Sequence, residues 1–302
     1  MVKILLTGAS GFLGQHLLQH LRSTSHDVTA LCHRQESAER LRAHYPSYRV
    51  ACVDLASPDS IDAFLAFLAG LTFDVCIHSA AISSPKLCEQ DPERARAVNV
   101  PQYFLEKLGS GTYTIVLSTD QVYEGTGPPY KEDDPVNPLN AYGQSKVTLE
   151  QLCSHRPTIQ LRSSILLGPT TETPSHDTFL HFVASRKDTP TEFYTDEKRS
   201  VVGVHDVVRM ILWLVEHPGT SGVYNMGGTA SISRADMARA VGDYLGWEPS
   251  SYLIPCVKPQ SSGVPTPLDI SMDSTKLYDL TGIVPNGLAD VVKETFATKE
   301  ST

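Results

Sequence analysis

Three glycines spaced three residues apart, directly behind the first apolar run, constrain this chain more than any other feature of it. The run Val2–Thr7 is predicted to be a strand, and Thr7-Gly8-Ala9-Ser10-Gly11-Phe12-Leu13-Gly14 comes directly after it. Gly8 permits a tight turn off the strand, Gly11 leaves no Cβ between backbone N–H groups and a pyrophosphate, and Gly14 lets a helix pack closely on the sheet. That helix is predicted over Phe12–Arg22, with Leu13, Leu17 and Leu21 on one face. Its N-terminus presents positive partial charge to the phosphates. Gly8, Ser10, Gly11, Phe12, Leu13 and Gly14 are therefore the expected dinucleotide loop.

The next 150 or so residues, by the same count of strands and helices, repeat the pattern. Val28–Cys32, Val50–Val53, Val75–Ser79, Tyr113–Ser118 and Thr158–Ile165 read as strands. Helical stretches separate them near Ala38–His44, Ser60–Leu68, Glu93–Leu108 and Ala141–Cys153. Strands apolar throughout are buried on both faces, and strand–helix alternation builds a parallel, doubly wound sheet. The fold class expected is α/β, Rossmann-like, with a smaller C-terminal substrate lobe. Residues 1–168 are assigned to the dinucleotide domain and 169–302 to the smaller lobe, interleaved with the first. In that second part Pro169–Asp177 and Pro255–Pro267 read as loops, Val207–Glu216 and Arg234–Leu245 as helices, and Gly222–Met226 as a short strand.

The strand ends carry the remaining cofactor signals. A chain selective for NAD usually ends its second strand on an acid; here the residues are Cys32-His33-Arg34. A guanidinium at Arg34 suits a 2′-phosphate by charge and by its forked geometry, so NADP(H) is the cofactor expected, unless Arg34 is a solvated surface cation. Asp54-Leu55 ends the third strand, where a carboxylate could accept the adenine amino group. Ser79-Ala80-Ala81 ends the fourth, where small side chains let a cofactor lie on the backbone.

The strongest chemical signal is Tyr142-Gly143-Gln144-Ser145-Lys146. Tyr and Lys four apart share a helix face, and a nearby ammonium would lower the phenol's pKa. Tyr142 would then exchange a proton near neutrality, and Lys146 would also hold the nicotinamide ribose. Upstream, Ser118-Thr119-Asp120-Gln121-Val122-Tyr123 lies at the end of the fifth strand, and Thr119 would polarise a carbonyl. Thr119, Tyr142 and Lys146 are the catalytic candidates.

Other classes fare poorly. A net charge of −9 leaves no cationic surface for nucleic acid. The six cysteines show no CxxC pair, so no metal site is expected. The N-terminal MVKILLTGAS enters a strand directly, and no apolar run approaches a membrane span, which predicts a cytoplasmic protein. His16, His20, His176 and His181 have packing or surface roles as the default reading.

Taken together, TGASGFLG, HSAA, Val98-Asn99-Val100, STDQVY and YGQSK resemble the extended short-chain dehydrogenases/reductases. Ser118–Lys146, Arg199–Val207 and Pro267–Leu277 are more particularly similar to two branches, the dTDP-4-dehydrorhamnose reductases and the regulatory beta subunits of methionine adenosyltransferase. The resemblance implies cofactor contacts also from Asn99, Ser118, Tyr142 and Lys146, and substrate contacts from Asp120, Gln121 and Arg199. For Arg199 a surface ion pair is the competing reading. Gln121 stands where nucleotide-sugar dehydratases carry a catalytic Glu, so that activity is excluded. The stretch Arg162–Gly168 lacks the Trp usual in rhamnose-pathway reductases, which weakens that substrate and points toward the regulatory branch. Thr119, where the regulatory subunits tend to carry Ser, points back toward a reductase. Two functions are thus implied: an NADPH-dependent reductase of a keto group on a nucleotide-linked sugar, or an NADP-binding subunit that docks on the methionine adenosyltransferase catalytic subunit. Relatives often pair as homodimers through the helices near Glu93–Leu108 and Ala141–Cys153.

Overall fold

The computed structural model describes residues 1–171, 177–259 and 263–297. Six strands alternate with helices from the N-terminus: β1 (Lys3–Thr7), β2 (Asp27–Cys32), β3 (Arg49–Cys52), β4 (Val75–His78), β5 (Tyr113–Thr119) and β6 (Thr158–Ser163). They join in one parallel sheet with Gly222–Met226 added beside β6, giving the order Gly222–Met226, β6, β5, β4, β1, β2, β3. The order reverses between β1 and β4. In open α/β sheets the crevice for a ligand opens at such a point, beyond the carboxyl ends of the strands.

Alternation along the strands feeds two cores. Ile4 and Leu6 of β1 face one layer, with α1 (Phe12–Leu21), α2 (Gln35–His44) and α9 (Val204–Glu216). Leu5 faces the other, with α3 (Pro58–Phe67), α6 (Gln102–Lys107) and α7 (Ala141–Cys153). A fully buried aliphatic side chain is worth about 1.5–3 kcal/mol. By that measure the buried Val207, Val208, Ile211 and Leu214 bind α9 firmly to the sheet. The strand Gly222–Met226, beside β6, and α9 of the second half thus share the core of the central sheet.

Several elements depart from their expected form. The single helix expected near Glu93–Leu108 is two, α5 (Pro92–Asn99) and α6, with Pro101 between them. Proline has no N–H to donate, and it drives the residue before it out of the helical region. Ahead of them lies an unexpected short helix, α4 (Pro85–Gln90), begun by Ser84, whose hydroxyl accepts from Leu87 N, and by Pro85 at its first position. The strand expected to reach Ile165 ends at Ser163, and Leu166–Leu167 pairs instead with Val202–Gly203.

The smaller lobe has its own core, built on α8 (Phe179–Ala184), α10 (Arg234–Leu245) and α12 (Leu288–Phe296), with α11 (Thr275–Thr281) returning the chain to the large sheet's layer. Of the expected loop Pro255–Pro267, Pro255 and Cys256 instead belong to a strand, Leu253–Cys256, paired with Thr191–Tyr194. Residues 260–262 of that loop, and residues 172–176 of the loop expected over Pro169–Asp177, lie outside the described residues, as does His176. No helix among the described residues is long and apolar enough to cross a membrane.

Candidate active site

Beyond the switch point between β1 and β4 opens a cleft of about 430 Å³. Its floor is built by the glycine loop. Gly8 takes φ +71°, and a Cβ there would stand 2.7 Å from Ala80 N, so only glycine lets β1 turn against the end of β4. A Cβ on Gly14 would meet Gly8 O at 2.2 Å, which is why α1 can start flush against the loop. At Gly11 the added atom would touch only Gly8 O, at 3.2 Å. No side chain caps the N-terminus of α1, and its first turn holds no acid. The first-turn N–H groups of Phe12 and Leu13 therefore remain available to a phosphate.

Most of the expected cofactor residues line this cleft: Gly8, Ser10, Gly11, His33, Arg34, Asp54, Leu55, Ser79, Ala80 and Ala81. Arg94 of α5 lines it too, with no motif in the sequence to mark it. Its Nη2 donates to Asp54 Oδ2 at 3.1 Å, across the cleft mouth. Asp54 Oδ1 accepts from Ala56 N and lies 3.9 Å from His33 Nδ1. Burial would raise the Asp54 carboxyl, but the Ala56 and Arg94 hydrogen bonds and the nearby cations hold it below its ordinary value.

Two expected cofactor contacts are spent elsewhere. Asn99 is fully buried; its Oδ1 accepts from Ile82 N at 2.7 Å, and its Nδ2 donates to Ser145 Oγ at 2.9 Å and to Ile82 O. The amide ties α5, the loop after β4 and α7 together rather than facing the cleft. The Ser118 hydroxyl points the other way, donating to Glu150 Oε1. Glu150 is paired with Arg162 of β6, Nη2 to Oε2 at 2.8 Å, both buried, and Arg162 also donates to the Tyr123 hydroxyl. This buried pair sits one helical turn beyond Lys146.

The catalytic candidates converge where β5 ends. A short 3-10 turn, Asp120–Val122, brings the Thr119 hydroxyl back to accept from Gln121 N at 3.2 Å and to donate to Asp120 Oδ1 at 3.3 Å. Helix α7 begins at Asn140, whose Oδ1 accepts from Gly143 N and whose Nδ2 donates to Gln121 Oε1 and Pro265 O. Gly143 lets α7 lie directly on the turn, since a Cβ there would stand 2.3 Å from Gln121 O. That closeness sets Tyr142 beside Thr119. Burial pushes the Tyr142 phenol well above its ordinary pKa; the hydrogen bond with Thr119 opposes this and the charge of Asp120 adds to it.

This corrects the expectation that Lys146 lowers the phenol's pKa. The Lys146 ammonium is itself buried and donates to Leu117 O at 2.7 Å. Burial lowers its pKa to about 8, against the pull of the Glu150 carboxylate. Below it His78, fully buried and pushed to about 3 by burial and by the Lys146 charge, stays neutral and bonds Thr7 Oγ1. At neutral pH the site thus holds a protonated phenol and an ammonium.

The expected substrate residues sit beside this centre. Asp120 is buried, accepts from Ser164 Oγ at 2.9 Å, and lies 3.9 Å from Arg199 Nε. Burial raises its pKa, against the opposing charge of Arg199. Arg199 is no surface cation: it is 3% exposed, and its guanidinium donates to the carbonyls of Lys198, Leu268 and Pro267. In this arrangement Arg199 anchors the segment Pro267–Leu268 beside Asp120. Gln121 Oε1 accepts from Asn140 Nδ2 at 3.0 Å.

Among known proteins, a match to the family described as RmlD substrate binding domain spans residues 2–300. The chain is 29% identical to methionine adenosyltransferase 2 subunit beta of Xenopus tropicalis, over 91% of this chain and 81% of that one. It is 26% identical to the spore coat polysaccharide biosynthesis protein SpsK of Bacillus subtilis (strain 168), covering 100% and 99% of the two. Of the solved structures, dTDP-4-dehydrorhamnose reductase from Bacillus anthracis, in complex with NADP, superposes with a TM-score of 0.80 at 20% identity, over 99% of this chain and 100% of that one. UDP-glucuronic acid 4-epimerase from Bacillus cereus, in complex with UDP-glucuronic acid and NAD, gives 0.79 at 23% identity, over 97% of each.

Proposed function

The chain belongs to the RmlD substrate binding domain family, and on that premise we propose that it is an NADPH-dependent reductase of a keto group on a nucleotide-linked sugar or a similar small molecule. One observation carries the reading: Tyr142 and Thr119 are hydrogen-bonded at the end of β5, where Lys146 donates to Leu117 O, while the glycine loop and the ends of β2, β3 and β4 line one cleft of about 430 Å³. The uncapped start of α1 and the glycines at 8 and 11 would hold the pyrophosphate, and Arg34 the 2′-phosphate. When bound, NADPH supplies the hydride.

The chain's own groups do the rest. Tyr142, kept protonated by burial, gives its proton to the substrate oxygen. The Thr119 hydroxyl orients that oxygen. Lys146, charged below a pKa of about 8, would hold the nicotinamide ribose. Asp120 and the segment anchored by Arg199, which lie beside this centre, would face the sugar. Two solved structures that share the fold are named for nucleotide-sugar enzymes, and the substrate class is proposed by that likeness. The test is the absorbance of NADPH with purified protein and a dTDP-4-keto-6-deoxy sugar. Its decay supports the proposal; tight NADPH binding with no decay for any 4-keto nucleotide sugar sinks it.

A second reading has its own support, the 29% identity to a methionine adenosyltransferase beta subunit over most of the chain. Here the fold binds NADP and docks on the catalytic subunit without turnover. Recovery of that enzyme in a pull-down, with no NADPH consumption, would select it. Both readings suit a cytoplasmic setting, in which six free thiols persist.

A further inference from the structure

The adenosine end of the cleft holds a second guanidinium that the strand-end motif does not reveal. Arg94 comes from α5 and lines the same cleft as His33 and Arg34 at the β2 end. The carboxylate expected to read the adenine amino group is already engaged: Asp54 accepts from Arg94 with one oxygen and from Ala56 N with the other. What Asp54 does in this structure is hold Arg94 at the cleft mouth.

We propose that Arg94 is a cofactor-specificity residue, which with Arg34 clamps the 2′-phosphate of NADP from two sides; this rests on the NADP reading above. Charge comes first. At this end Arg34 and Arg94 stand against the single acid Asp54, leaving a net positive mouth for a phosphate. Geometry comes second. One N–H of the Arg94 fork donates to Asp54, and a guanidinium has five donors. The fork can therefore keep its carboxylate and still bind phosphate oxygens. Exposure comes third. The Arg94 and Asp54 side chains are 40% and 31% exposed, and a half-solvated pair of this kind is held weakly, so Arg94 can swing onto an arriving dianion. An NAD molecule offers a neutral ribose hydroxyl there, which gains little from either guanidinium.

Two nucleotide fragments isolate the effect. 2′,5′-ADP carries the 2′-phosphate and 5′-AMP lacks it. Both are titrated by calorimetry into the full chain, into Arg94→Gln and into Arg34→Gln. The wild-type chain is expected to prefer 2′,5′-ADP. Arg94→Gln should weaken 2′,5′-ADP by about tenfold to a hundredfold, the range of one charged hydrogen-bonded contact, and leave 5′-AMP unchanged. Unchanged 5′-AMP affinity also shows that the variant is folded. If Arg94→Gln keeps the full preference, the Arg94 proposal is overturned while the NADP reading stands on Arg34. An equal loss for both fragments also overturns it, making Arg94 an adenosine contact. Equal wild-type affinity for the two fragments overturns the NADP reading itself.

Discussion

Replacing Gly143 by alanine should damage the site without touching any group that reacts. The new Cβ would stand 2.3 Å from Gln121 O and 2.8 Å from Pro138 Cβ. Ordinary contact begins at 3.4 Å, so relief at the carbonyl requires α7 and the turn Asp120–Val122 to part by about 1 Å. Neither side yields easily. Asn140 binds the start of α7 to Gln121, and the buried Val147 and Leu149 fix the helix to its neighbours. Overpacking of this kind costs about 1–3 kcal/mol, readable as a lower midpoint in urea unfolding with unchanged slope. The same shift separates Tyr142 from Thr119, and a misplacement of about 1 Å costs on the order of a hundredfold in rate. Gly143→Ala should therefore lose stability modestly and turnover heavily, with nucleotide affinity at the glycine loop intact. A variant of wild-type stability and wild-type turnover would show that the close approach of α7 to the turn is not what positions Tyr142.

Further outcomes can be measured directly. With Lys146 near pKa 8, its ammonium is present at lower pH and lost above, so turnover should decline as pH rises through about 8; a rate rising through that range would contradict the assigned role. Arg162→Met leaves the Glu150 carboxylate buried without its partner, and unfolding free energy should fall by about 3–5 kcal/mol, whereas an unchanged urea midpoint would mean that the pair is not closed. Burial holds His16 at about 4 against an ordinary 6.5. An unfolded chain thus takes up this proton first, and stability should drop as pH falls from 6.5 toward 4, by about 3 kcal/mol in all. His16→Phe should flatten that slope, and an equally steep curve in the variant would assign it to other groups.

The local parts of this protein are legible in its sequence alone. The β1 turn and α1 are consecutive in the chain, so the spacing of Gly8, Gly11 and Gly14 specifies both the turn and the close packing of the helix behind it. Tyr142 and Lys146 lie four apart on one helix, and their shared face needs nothing but helical periodicity. The break at Pro101 is equally local, yet apolar spacing alone runs straight through the proline and hides it. Strand alternation carries the sheet, since residues buried on both faces leave continuous apolar runs.

Other features depend on which segments fold together, and no window of sequence displays that. Arg94 meets Asp54 40 positions away because the fold sets α5 beside the residues that follow β3. Gly222–Met226 reads as a strand, but only docking beside β6 makes it the sheet's edge. Arg199 has a plausible partner in a phosphate or a surface acid; the fold instead buries it, 3.9 Å from the buried carboxylates of Asp120 and Glu197, and satisfies it with carbonyls from Pro267 and Leu268. Burial likewise reverses the expected shift of Tyr142, because the cost of a charge depends on how completely tertiary packing removes water around it. Periodicity and glycine spacing determine which backbone can form and which chemistry it carries. The protonation states, the spent hydrogen bonds and the second guanidinium at the cleft belong to contacts made across the chain.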